Sequence, residues 1–161
     1  RAKYLHELPV MHEFYFSGKL IRLFHASPYS LKHIYNPIYD NRKTKYADYT
    51  LNNHKDLFEN TTFIGKNEKD EVPDIIGYAH LHTPNLFEFE NKVIFNTGSV
   101  GASPNISDAS YTIIEGNLNS KEIATISISN VKIKYDVYKE LKSIELSDIP
   151  TKDELILSFK N

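Results

Sequence analysis

Cysteine and tryptophan are both absent from the 161 residues of this chain. Without cysteine there is no disulfide, no thiolate zinc site and no cysteine nucleophile. Any bound metal must therefore have nitrogen and oxygen ligands. The longest apolar runs are far shorter than the roughly 20 residues needed to span a bilayer, and no apolar signal segment follows the N-terminus. We expect no membrane segment and a cytoplasmic protein.

A large excess of either charge is also lacking, since the net charge is -2 at pH 7 and acidic and basic residues are interspersed. Without a basic stripe we predict no binding to nucleic acid and expect a small or metal-associated ligand. The hydrophobic fraction of 40% is typical of a globular protein. The length suits one domain or most of one. Because the sequence starts at Arg1 without an initiator methionine, we expect a chain cut from a longer one.

Apolar runs separated by turn residues predict a mixed α/β chain. Two hairpins are expected, at residues 11–25 around Ser17-Gly18 and at residues 85–95 around Glu90-Asn91. The largely apolar character of residues 72–79 predicts a buried central strand. The remaining predictions are strands at 109–115 and 122–134, and helices within 1–8, within 46–58 and from Tyr135 or Asp136 onward.

Histidines occur where two of these predicted strands end. His80 and His82 follow the apolar strand at 72–79, and alternate residues on extended backbone point the same way, so both can converge on metal ions. Taken alone, such a pair is as readily a surface pair. His25 ends another apolar strand, and in open α/β sheets ligands gather outside the strand ends. The remaining histidines are interpreted as structural or surface residues: His6, His12, His33 and His54.

A loop rich in small residues, from Asn96 to Gly101, follows a third apolar strand. Glycine lets the backbone approach a ligand closely. The loop is therefore expected to offer backbone N–H groups to an anion or to make contacts that support the site. The alternative interpretation is a glycine turn without a functional role.

The three segments together resemble the last motifs of calcineurin-like metallophosphoesterases, in particular the small bacterial and archaeal phosphodiesterase branch. That branch reads H-G-S-P, G-H-T-H-x-P and N-P-G-S-V-G in the same order. The matching segments here are 23–28 (L-F-H-A-S-P), 76–84 (I-G-Y-A-H-L-H-T-P) and 95–101 (F-N-T-G-S-V-G). The resemblance extends through residues 109–114 and Tyr135-Asp136. Departures from the family pattern are Ala26, Ala79, Leu81 and Thr97.

The resemblance implies an α/β fold, the C-terminal portion of an αββα sandwich with mixed sheets flanked by helices. It implies that residues 1–161 are part of a single domain whose N-terminal portion, with the remaining metal ligands, is absent. By position, His25 and His80 resemble ligands of one metal, and His82 resembles a ligand of its neighbour. The residues expected to support the site are Asn96, Gly98, Ser99 and Gly101. No catalytic residue is expected here, because the family's D-x-H, G-D and G-N-H motifs precede this region.

The activity implied is metal-dependent hydrolysis of a phosphate-ester small molecule, as a phosphodiesterase or phosphatase, by a hydroxide between two divalent metal ions. Manganese is the expected metal, with zinc, iron and nickel as alternatives. We expect this chain alone to be inactive without the N-terminal portion. The tyrosines between residues 29 and 49 suit a substrate entrance, a subunit contact in a homo-oligomer or the cover of a small core.

Two readings compete with the enzyme. Some proteins with this fold, such as the retromer subunit, are catalytically inactive protein-binding scaffolds, although three retained histidines argue against that role here. A metal-free binding module that keeps the strand ends only for their backbone geometry is the third alternative.

Overall fold

A computed structural model of the chain describes residues 2–28, 30–33, 55–58, 71–101, 103 and 108–159. A short helix opens the chain, α1 (Ala2–Glu7), and ends before Pro9 as predicted. The predicted helix within 46–58 is described only for α2 (Lys55–Phe58), and its other residues lie outside the described part. No helix in the described ranges is long and apolar enough to cross a membrane.

Five strands form the larger sheet, in the spatial order β1-β2-β3-β5-β4. Their bounds are β1 (Met11–Phe16), β2 (Lys19–Phe24), β3 (Ile75–Tyr78), β4 (Asn85–Phe89) and β5 (Lys92–Asn96). The inner strands β2, β3 and β5 run parallel to one another, whereas the outer strands β1 and β4 are antiparallel to their neighbours. The carboxyl ends of the three inner strands therefore lie at one edge of the sheet.

Both predicted hairpins are confirmed, and backbone geometry explains their tight turns. The φ angles are 50° at Ser17 and 80° at Gly18, and 48° at Glu90 and 63° at Asn91. Positive φ at both central residues gives the turn twist that matches the right-handed twist of the flanking strands. The central strand is also confirmed, although β3 (Ile75–Tyr78) is shorter than the run 72–79 and every residue of it is buried.

The smaller sheet has two antiparallel strands, β6 (Asp108–Glu115) and β7 (Ser127–Lys134). The predicted start of the second strand at residue 122 is wrong. Residues 122–126 instead run along the first hairpin, where the Ala124 N–H donates to the Ser17 carbonyl at 3.3 Å and the Ser17 hydroxyl donates to the Thr125 carbonyl at 3.2 Å. These bonds hold the segment away from β6, so the ladder begins only at Ser127.

Two apolar clusters cover opposite faces of the larger sheet, because successive residues of a strand point to opposite sides. Ile75 lies in the cluster that packs against Ile114 and Ile128 of the smaller sheet. Its neighbour Ile76 lies in the cluster that includes Leu57 and Phe58 of α2. The larger sheet is thus enclosed between a helix and a second sheet.

The chain ends in two helices rather than the single predicted one, α3 (Val137–Glu145) and α4 (Lys152–Ser158). The predicted start of α3 is confirmed, since the Asp136 side chain accepts from the Lys139 N–H at 3.0 Å and caps the helix. The residues between the two helices include Pro150, whose ring and missing N–H prevent one continuous helix.

Candidate metal centre

The predicted site residues lie where the three parallel strands end. His25 follows β2, and Ala79 and His80 follow β3 at the same edge. The Ala79 N–H donates to the His25 carbonyl at 2.9 Å, which extends the pairing of these strands by one bond beyond the ladder. The backbone therefore fixes the positions from which the two imidazoles project.

His25 and His80 meet although they are 55 residues apart in the sequence. His25 Nε2 and His80 Nδ1 are 3.0 Å apart, and the ring centroids are 5.0 Å apart with the planes at 76°. In the metal-free protein one of these nitrogens donates a hydrogen bond to the lone pair of the other. The His25 side chain is exposed and that of His80 is half-buried, so the pair lies at the surface end of the sheet.

The backbone of the His80–His82 segment differs from the predicted extended form. The φ angles are 68° at His80 and 58° at His82, both in the left-handed region. The Leu81 N–H donates to the Ala79 carbonyl at 2.8 Å, so the chain turns tightly as soon as β3 ends. We expected these histidines to point the same way because they alternate on an extended strand. That reason is wrong, since the backbone at both positions is left-handed rather than extended.

Electrostatics connect all three histidines. Burial lowers the pKa of the His80 imidazole, and positive charge on His25 and on His82 lowers it further. Since each protonated neighbour disfavours a second positive charge, the cluster favours a neutral His80. A neutral imidazole keeps the lone pair that a metal ligand needs.

Asn96 is fully buried at the end of β5 and connects two segments of the site. Its Nδ2 donates to the Ala79 carbonyl at 2.6 Å, and its Oδ1 accepts from the Gly98 N–H at 2.8 Å. The amide thus fixes the residue before His80 and the start of the following loop. Both contacts are with backbone groups, and the supporting role of Asn96 stays a prediction.

The backbone N–H groups of the loop after β5 donate hydrogen bonds to other groups of the protein. Besides Gly98, the Thr97 N–H donates to the Tyr78 carbonyl at 3.2 Å, and the Gly101 N–H donates to the Ser99 hydroxyl at 3.3 Å. The Ser99 N–H donates to a side chain of the smaller sheet at 3.0 Å. These N–H groups are therefore engaged within the protein rather than offered to an anion, and the supporting role of the loop stays a prediction.

Ser110, on β6, is the partner of that loop, and it was not among the predicted site residues. Its side chain is buried, its hydroxyl accepts from the Ser99 N–H, and its own N–H donates to the Ser99 carbonyl at 2.8 Å. A Cβ atom on Gly98, whose φ is 75°, would lie 1.9 Å from the Ser110 hydroxyl oxygen. The signal in the sequence was its place in residues 109–114, to which the family resemblance extends.

The donor set fits a metal ion only in part. When two imidazole nitrogens bind one ion, each at about 2.0–2.1 Å and with a right angle between the two bonds, the nitrogens are about 3 Å apart. His25 Nε2 and His80 Nδ1 have that separation. Within the described ranges, no three His, Asp or Glu side chains form a group that could hold an ion. A metal ion held by this histidine pair would need further ligands.

Comparison with known proteins gives a structural likeness without a sequence match. No family model and no curated protein matches the chain. Hypothetical protein PH1004 from Pyrococcus horikoshii superposes with a TM-score of 0.58 and 16% identity, over 98% of this chain and 52% of that one. A metallophosphoesterase from Sphaerobacter thermophilus superposes with a TM-score of 0.54 and 16% identity, over 98% of this chain and 59% of that one. Wild-type Vps29 complexed with zinc, from Entamoeba histolytica, has 19% identity over 78% of this chain and 62% of that one, with a TM-score of 0.41.

This likeness concerns the fold. The chain spans a little over half the length of the first two structures, at 52% and 59%. Its mixed sheet with flanking helices confirms the predicted α/β fold class, and that architecture is shared with a metallophosphoesterase.

Proposed function

We propose that this chain is the histidine-bearing part of a metal-dependent phosphoesterase that hydrolyses phosphodiesters or phosphomonoesters. The observation that carries the proposal is the 3.0 Å approach of His25 Nε2 and His80 Nδ1, from the ends of two parallel strands. The fold shared with a metallophosphoesterase supports it, as does the order of the three motifs. The small phosphodiesterase branch and a cytoplasmic location stay predictions from the sequence.

In this proposal His25 and His80 bind one divalent ion and His82 binds its neighbour. Asn96 and the loop from Gly98 to Gly101 hold the backbone from which His80 projects. When bound, divalent ions supply activation of water and neutralise charge on the phosphoryl oxygens. The task of this chain is to hold neutral imidazoles in place.

The remaining ligands come from another part of the same domain, outside these 161 residues. Two imidazoles alone leave most positions around an ion to water, which binds weakly compared with a complete set of protein ligands. We therefore propose that the chain alone binds metal weakly and that the complete polypeptide carries the activity.

A catalytically inactive protein-binding scaffold is the second candidate. The outer face of the smaller sheet favours it, because three large apolar side chains there are substantially exposed: Tyr111 at 40%, Ile113 at 39% and Ile133 at 50%. Alternation along β6 places the first two on the face opposite Ile114, which packs against the larger sheet. Exposed apolar surface of this kind marks binding surfaces for other proteins.

The decisive experiment measures manganese-dependent hydrolysis of bis(p-nitrophenyl) phosphate by the complete polypeptide. The test variants are His80→Asn and His82→Asn, because asparagine tolerates the left-handed backbone at both positions. His12→Asn, at an exposed position on β1, is the matched control. We expect each test variant to lose about 10²-fold or more of the activity and the control to keep it.

Two other outcomes separate the alternatives. Unchanged activity in both test variants would remove the metal assignment. A wild-type protein that binds manganese or zinc in calorimetry but hydrolyses neither a phosphodiester nor p-nitrophenyl phosphate would favour the scaffold.

A further inference from the structure

Leu81 separates the two histidines of the tight turn and differs from both in its surroundings. His82 is exposed and His80 is half-buried at the end of the sheet. The Leu81 side chain packs against the buried cluster on one face of the larger sheet. Within this turn, Leu81 is therefore the apolar anchor between two polar residues.

The turn needs such an anchor because its backbone is unfavourable. A left-handed φ at a non-glycine residue costs free energy, and here it occurs at two positions, at 68° and 58°. Such a conformation persists only when the surroundings impose it. Hydrogen bonds hold its backbone, from the Leu81 N–H and the Asn96 amide to the Ala79 carbonyl and from the Thr83 hydroxyl to the Leu81 carbonyl. The Leu81 side chain adds the apolar packing of the turn against the sheet.

The cluster that receives Leu81 is built from distant parts of the chain. It contains Phe24 from the strand before His25, Tyr78 from the strand before His80, and Phe58 from α2. The Phe58 ring meets the Phe89 ring edge to face, with centroids 5.5 Å apart at 81°. A side chain inserted here is positioned relative to both strands that supply the paired imidazoles.

We propose that Leu81 is a positioning residue, which sets the separation of the His25 and His80 imidazoles for a divalent cation by locking the turn onto this cluster. The inference rests on the proposed metal-binding function. It goes further, because the residue that controls the distance between the two imidazoles is one whose aliphatic side chain cannot bind a metal.

The test compares three variants of the complete polypeptide. Leu81→Ala removes three side-chain carbons at the turn, and Leu81→Met keeps an apolar side chain of similar volume. Phe89→Leu is the matched control, because it also removes three carbons from a side chain packed against the same cluster, at the far end of β4. Calorimetry with manganese or zinc alone gives the metal affinity, and urea denaturation gives the stability of each variant.

A second measurement needs no metal. Long-range proton–nitrogen NMR spectra of the imidazoles in the metal-free protein report the hydrogen bond between His25 Nε2 and His80 Nδ1. We expect Leu81→Ala to bind metal about 10-fold to 100-fold more weakly and to lose this signature. Leu81→Met should retain both, and Phe89→Leu should lose stability while its affinity stays within about threefold of wild type.

Each outcome decides the question. If Leu81→Ala loses stability but keeps the metal affinity and the imidazole signals, the positioning role is wrong. If Phe89→Leu weakens metal binding equally, the effect belongs to the core as a whole and the inference fails. If the wild type binds no metal, the proposed function fails by itself, and the imidazole spectra of Leu81→Ala still support or overturn the positioning role.

Discussion

Replacing Asn96 with leucine is the sharpest test of how the site is supported. Leucine has the same branching as asparagine but neither donates nor accepts hydrogen bonds. In the native protein the fully buried Asn96 amide donates to the Ala79 carbonyl at 2.6 Å and accepts from the Gly98 N–H at 2.8 Å. The substitution removes both bonds and keeps water out of the space.

The two lost bonds differ in their cost. The Gly98 N–H would remain buried without an acceptor, at a cost of about 1–3 kcal/mol. The Ala79 carbonyl keeps its bond from the Leu81 N–H, so there only the net value of one hydrogen bond, about 1 kcal/mol, is lost. We expect the free energy of unfolding to fall by about 2–4 kcal/mol, a large part of the stability of a typical domain.

Urea denaturation at pH 7 measures this change. Asn117→Leu is the control, because Asn117 is exposed and makes its described hydrogen bonds through its backbone. We expect that variant to stay within about 0.5 kcal/mol of wild type. A loss below about 0.5 kcal/mol for Asn96→Leu would refute the view that this amide holds the loop and the residue before His80.

Two further predictions concern β3, the strand that precedes His80. Gly77→Ala should lower the free energy of unfolding by about 1–3 kcal/mol in urea denaturation, because the new Cβ would lie 2.4 Å from Phe95 Cζ and 2.5 Å from Leu23 Cδ2. Burial raises the pKa of Tyr78 to about 12, although its hydrogen bond with Asn85 opposes the shift. Because the raised pKa favours the neutral phenol in the folded state, this stabilisation is complete below pH 10 and is lost as the pH rises toward 12. Between pH 9 and pH 11, denaturation should show a steeper loss of stability in wild type than in Tyr78→Phe, and equal slopes would contradict the assignment.

Much of the sheet could be predicted from local patterns. The hairpin around Ser17-Gly18 and the buried strand ending at Tyr78 follow from apolar runs interrupted by turn residues. Such runs are strong signals because each one must bury its side chains. The start of β7 was not predictable in this way, because residues 122–126 are held by the turn at Ser17, which is remote in the sequence.

For the candidate site, the sequence identified which residues belong together. His25 and His80 were expected to meet because each comes at the end of an apolar strand, and in open α/β sheets ligands gather outside the strand ends. Their nitrogens are 3.0 Å apart. Their role as metal ligands stays a prediction, as does the pairing of His82 with a second ion.

Local sequence patterns accounted for the two hairpins, the buried strand and the order of the histidine motifs, and the lack of cysteine limits any metal site to nitrogen and oxygen ligands. The left-handed turn at His80 and His82, the packing of Leu81 and the bond between Ser99 and Ser110 could be seen only in the folded chain. Periodicity reports which residues are buried, whereas these features depend on partners brought close by chain folding.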